Sequence, residues 1–71
     1  MILKDFIKNS GAELVYINDT KRYRPSRSLY TFDLKYLTDT HELKRFLEDY
    51  GHSEVIYGTI DKPASTVIAQ I

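Results

Sequence analysis

The sequence predicts an α+β fold: a small single-layer sheet of three or four mostly antiparallel strands, with two helices on one face, in the order α-β-β-α-β-β. Three observations carry this reading. Residues 29–37 alternate, with Tyr30, Phe32, Leu34 and Tyr36 on one side and Thr31, Asp33 and Lys35 on the other, which is the period of a half-buried strand. Within residues 39–50, Leu43, Phe46, Leu47 and Tyr50 recur at i, i+3, i+4 and i+7, a single helical stripe. The chain has 71 residues, 42% of them hydrophobic, enough for one domain (1–71) around one core.

The remaining elements follow in chain order. Residues 2–9 put Ile2, Leu3, Phe6 and Ile7 on one side and Lys4, Asp5 and Lys8 on the other, predicting a short helix that stops at Gly11. Eight or so residues are marginal as an isolated helix, so this one has to dock on a sheet. Residues 12–18 are rich in strand formers and end at Asn18-Asp19, a turn signal. Residues 19–28 are polar, and Pro25 bars a central strand there. For the second helix, Asp39 is the expected N-cap, Glu42 completes a capping box, and Gly51 supplies the C′ residue. Residues 54–60 read as a strand with Gly58 as a bulge or close-contact point, residues 61–65 as a turn, and residues 66–71 as a last strand at a sheet edge. The expected inward set is Leu14 or Val15, Tyr16 or Ile17, Phe32, Leu34, Val55, Tyr57 and the helix stripe. Tyr16, Tyr30, Tyr36, Tyr50 and Tyr57 all fall at core-compatible positions, and rings that complete the core are their simplest role.

Composition narrows the function classes. There is no cysteine, so disulfides and thiolate metal sites are excluded. No stretch nears the roughly 20 apolar residues that span a bilayer, and Lys4, Asp5 and Lys8 interrupt any signal-peptide core. A cytoplasmic protein with no membrane contact is expected. Ten Lys/Arg balance ten Asp/Glu, which argues against a dedicated nucleic-acid coat and against an acidic DNA mimic. The distribution is uneven: four of the ten cations fall within residues 21–27, whereas from Asp33 onward seven acids face four bases.

No constellation points to catalysis. His52 adjoins Ser53, but neighbours in an extended segment point apart, so adjacency makes no triad. His41 reads as a polar residue on an exposed first helical turn, and no ligand spacing supports zinc. Asp39 and Glu42 have a capping role, while Glu48, Asp49 and Asp33 occupy solvent-facing positions. The three glycines are isolated and form no phosphate loop. The expectation is therefore a non-enzyme with no cofactor and no metal.

One stretch suits recognition: Lys21, Arg22, Tyr23, Arg24 and Arg27, between two strands that read as a hairpin. Guanidinium groups fork onto phosphate or carboxylate, a tyrosine supplies a flat surface, and Pro25 limits the entropy lost on binding. The simpler role for these cations is to keep a hairpin soluble. A connection this long nevertheless exceeds the two to five residues usual in hairpins. Leu29 and Leu37, on the otherwise polar face of the alternating strand, and Val67 and Ile71, on an uncharged terminal strand, are candidate interface positions.

The reading that follows is a small protein-interaction module, a stoichiometric inhibitor or adaptor of the kind that phage and mobile elements use against host machinery. That is an analogy of class and rests on no motif. The alternative is a nucleic-acid-binding domain using the basic hairpin loop; against it, only a loop is basic, and Asp19 and Asp33 flank it. A homodimer burying Leu29, Leu37 or the terminal strand is compatible with either.

Overall fold

The computed structural model describes residues 1–20 and 28–71. Along the chain run α1 (Leu3–Ser10), β1 (Leu14–Asp19), β2 (Ser28–Asp33), α2 (Leu37–Tyr50), β3 (Tyr57–Asp61) and β4 (Thr66–Gln70). The element order is the expected α-β-β-α-β-β. The four strands form one mixed sheet in the order β2-β1-β4-β3. β1 pairs with β2 and β3 with β4 in antiparallel fashion, and the central pair β1–β4 is parallel.

Side-chain size across the sheet explains where each helix sits. On the covered face one row reads Phe32, Val15, Val67, Ile60, and the next reads Tyr30, Ile17, Ala69, Gly58. In both rows the aromatic residue lies on β2, and in the second the size falls to Gly58 on β3. α2 meets the large end: the Phe46 ring lies 4.6 Å from Tyr30, 5.6 Å from Phe32 and 4.5 Å from Tyr50 between centroids. Such pairs contribute about 0.5–1.5 kcal/mol each beyond their area. α1 lies over the small end, with Phe6 against Gly58. Leu3, Ile7, Val15, Ile17, Phe32, Leu43, Val67, Ala69 and Ile71 form the buried core between the layers.

α1 is short, and its first turn is held by tertiary bonds. The Leu3 N–H donates to the Ser53 carbonyl at 2.8 Å and the Lys4 N–H to the Gly51 carbonyl at 2.9 Å. These are donors that an isolated helix leaves unsatisfied. Gly11 ends the helix at φ 64°, the left-handed conformation expected there.

The second helix departs from its expected start. The alternating strand stops at Asp33, and α2 begins at Leu37, two residues before the anticipated cap. Tyr36 occupies the N-cap position without a side-chain cap bond. Asp39 Oδ2 instead accepts from the Asp33 N–H at 2.9 Å, tying the helix to the end of β2. At the other end Gly51 is right-handed (φ −60°) and its N–H donates to the Leu47 carbonyl, so the helix closes without a left-handed cap. Asp39→Ala removes a charge-assisted bond and an acid from the first helical turn. It is expected to cost about 1–2 kcal/mol, whereas Glu42→Ala should cost less than about 0.5 kcal/mol, both read by urea unfolding.

The terminal strand is also placed differently. β4 lies inside the sheet between β1 and β3, and the edges are β2 and β3. Val67 and Ile71, candidate interface positions in the sequence, are core residues at 0% and 2% exposure. Leu37 is exposed, but on the first turn of α2 and away from the sheet. Tyr57, expected inward, is exposed on the opposite face, and Tyr36 is exposed at the helix start. Among the described tyrosines, only Tyr30 and Tyr50 join the aromatic packing under α2. No helix among the described residues is long and apolar enough to cross a membrane.

Candidate interaction surface

Both helices cover one face of the sheet, which leaves the other open. The pairing register assembles that open face from three rows. Tyr57, Gln70, Asn18 and Leu29 lie across the end nearest the β1–β2 connection. Thr59, Ile68, Tyr16 and Thr31 cross the middle, and Asp61, Thr66, Leu14 and Asp33 cross the far end. Leu29 is 62% exposed, Tyr57 59% and Ile68 42%. Tyr16 and Leu14, on the central strand β1, are half-buried by their neighbours. An antiparallel sheet with one solvated face normally carries polar residues there. Here the exposed apolar side chains sit at the hairpin end and centre, and the acids sit at the far end.

The local sequence explains this distribution. Buried Val15 and Ile17 fix the phase of β1, so Leu14, Tyr16 and Asn18 must face outward. On β3 the contact of Phe6 with Gly58 sets the phase, which turns Tyr57 and Thr59 outward. The Asn18 Oδ1 atom is buried yet has no hydrogen-bond partner among the described residues. A buried acceptor left unpaired costs about 1–3 kcal/mol. Asp33 Oδ1 accepts from the Lys35 N–H, and Asp61 Oδ1 from the Ala64 N–H.

The interface residues singled out from the sequence are thus dispersed. Leu29 lies on the open face as expected, while Leu37, Val67 and Ile71 do not. Lys21, Arg22, Tyr23, Arg24 and Arg27 lie outside the described residues. Their segment is tethered between Thr20 and Ser28, and Ser28 pairs with Asp19 at the end of the sheet where Leu29 and Tyr57 lie. Sequence reasoning missed Tyr57 and Ile68 on the open face. For Tyr57 the clue was Gly58: a glycine flanked by strand formers signals close approach on its own side and exposure for its neighbours.

Other chemistry is sparse among the described residues. No group of three or more His, Asp or Glu side chains converges. His41 lines a depression along α2 with Thr38, Glu42, Lys44, Arg45 and Glu48. His52 lies in a separate one beside Lys4, Lys44, Leu47 and Glu48. Both depressions are open and bear cations and acids together. The Lys35–Glu13 pair, at 3.8 Å and exposed, is of the kind that contributes little.

No protein-family model matches the chain, and neither a curated protein nor a solved structure matches it.

Proposed function

We propose that this chain is a small non-enzymatic protein-interaction module that docks its open sheet face on a larger protein, as a stoichiometric inhibitor or adaptor does. The observation that carries the reading is the exposure of Leu29, Tyr57 and Ile68 on the face that neither helix covers. Exposed aromatic and aliphatic side chains around a central tyrosine are the composition of an interface core with threonines at its rim. No strand residue on this face is Lys or Arg, and Asp33 and Asp61 stand at its far end. A phosphate backbone would be repelled there. The partner that fits is a protein surface with an apolar patch and cationic side chains opposite those two acids.

The face alone is small. Four strands about 4.8 Å apart and five or six residues of about 3.3 Å each give a footprint of roughly 300–400 Å². A specific interface occupies about 800 Å² per partner. The segment carrying Lys21, Arg22, Tyr23, Arg24 and Arg27 joins the face at its apolar end and is the natural extension, with its cations meeting acids or carbonyl groups of the partner.

The test has two steps. The tagged chain is used to retain protein from the lysate of its own cell, and the retained protein is then titrated calorimetrically. Ile68→Lys and the Arg22/Arg24/Arg27→Ala variant are each expected to weaken binding tenfold or more, with folding intact by circular dichroism. The reading fails if both bind like the wild type. It also fails if nucleic acid is retained in place of protein, with affinity falling steeply in salt.

A further inference from the structure

We propose that two copies of this chain join edge to edge through β3, antiparallel, about a two-fold axis at Thr59. β3 ends the sheet, and every one of its residues is exposed. Natural edge strands are guarded by lysine, proline, a bulge or a covering element. Tyr57-Gly58-Thr59-Ile60-Asp61 has no lysine and no proline and pairs with β4 residue for residue; the one irregularity is at its start, where Ile56 N–H and Tyr57 both meet Gln70. Its single charge stands at its last position.

The strand is complementary to itself. An axis at Thr59 pairs all five residues. Tyr57 meets the partner's Asp61, Gly58 meets the partner's Ile60, and Thr59 meets its own copy. On the open face the Tyr57 hydroxyl faces a carboxylate whose Oδ1 is taken by the Ala64 N–H, leaving Oδ2 to accept. Thr59 beside Thr59 of the partner subunit is a favourable cross-strand pair. On the helix side Ile60 is 41% exposed, and the residue it would face is Gly58, whose missing side chain is replaced by the Phe6 ring. The partner's Ile60 therefore gains an aromatic surface. No like charges oppose each other. Two-fold closure consumes both β3 edges, so this contact joins two copies and no more.

The joined sheet has eight strands, and its axis is perpendicular to the sheet plane. Both open faces then lie on the same side, with Tyr57 of each copy near the centre. The pairing goes beyond the interaction reading above and does not depend on it, because it uses the edge and not the face.

Sedimentation equilibrium of the wild type is expected to give twice the 8.3 kDa chain mass. Thr59→Lys and Thr59→Glu should each return to the monomer mass, and an equal mixture of the two should recover the dimer. Because the native chain has no cysteine, Thr59→Cys should become a disulfide-linked dimer under oxidised glutathione, while His41→Cys on the exposed face of α2 should not. A monomeric wild type overturns the proposal, as does a dimer that survives Thr59→Lys or fails to cross-link at position 59 any better than at position 41.

Discussion

Replacing Leu3 with alanine is expected to destabilise the domain by about 3 kcal/mol, within the range of about 2–5 kcal/mol for buried Leu→Ala changes. Leu3 is fully buried although it opens a helix of only eight residues. α1 has little intrinsic stability at that length, so its persistence depends on tertiary contacts. Its tertiary backbone bonds converge on its first turn. The backbone bonds from Leu3 and Lys4 to the carbonyls of Ser53 and Gly51 hold only while the Leu3 side chain holds the helix start in place. A domain of this size has roughly 4–10 kcal/mol in total, so the loss is a large fraction of it. The unfolding midpoint should fall by roughly 15–20 °C. Leu37→Ala is the control, since Leu37 is apolar and also opens a helix but is exposed; its cost should stay within about 0.5 kcal/mol. Equal losses in the two variants would contradict the docking role given to Leu3.

Much of the fold was legible in the sequence, and the parts that were not share a physical cause. The stripe of Leu43, Phe46, Leu47 and Tyr50 was readable because helical periodicity is local and repeats over fourteen residues. The core rows through Val15 and Ile17 were half-readable: the strand was evident, but with Leu14, Val15, Tyr16 and Ile17 all apolar or aromatic the alternation did not give its phase. The position of β4 was hidden. Its parallel pairing joins residues 14–18 to residues 66–70, and no local pattern encodes a contact across fifty residues. A terminal strand looks like an edge strand until that pairing is known. Asp39 was readable as a residue with a hydrogen-bonding task, but its partner, the Asp33 N–H, belongs to a neighbouring element and not to its own helix. The open face inherits both difficulties. Leu29 was found because it breaks a clean alternation, whereas Tyr57 and Ile68 needed the register.

The phase of β3 can be tested directly at Gly58. A Cβ there would lie 2.4 Å from Phe6 Cζ and 2.9 Å from both Cε atoms, so any side chain must displace the ring. Phe6 is half-buried and can swing outward, which bounds the cost at the loss of its packing. Gly58→Val is therefore expected to cost about 2 kcal/mol, although valine suits a strand better than glycine does. In a Phe6→Ala background the clash is gone and only the strand preference remains, so the same change should be neutral or stabilising. The coupling between the two sites should then reach about 2 kcal/mol in a double-mutant cycle, where independent sites add within about 0.5 kcal/mol. Additive effects would mean that Gly58 does not face α1. The consequence would extend beyond stability, because a one-residue change of phase moves every side chain of a strand to the other face. Tyr57 and Thr59 would then turn toward the helices, removing the aromatic corner of the open face and the Thr59 pairing at the β3 edge together.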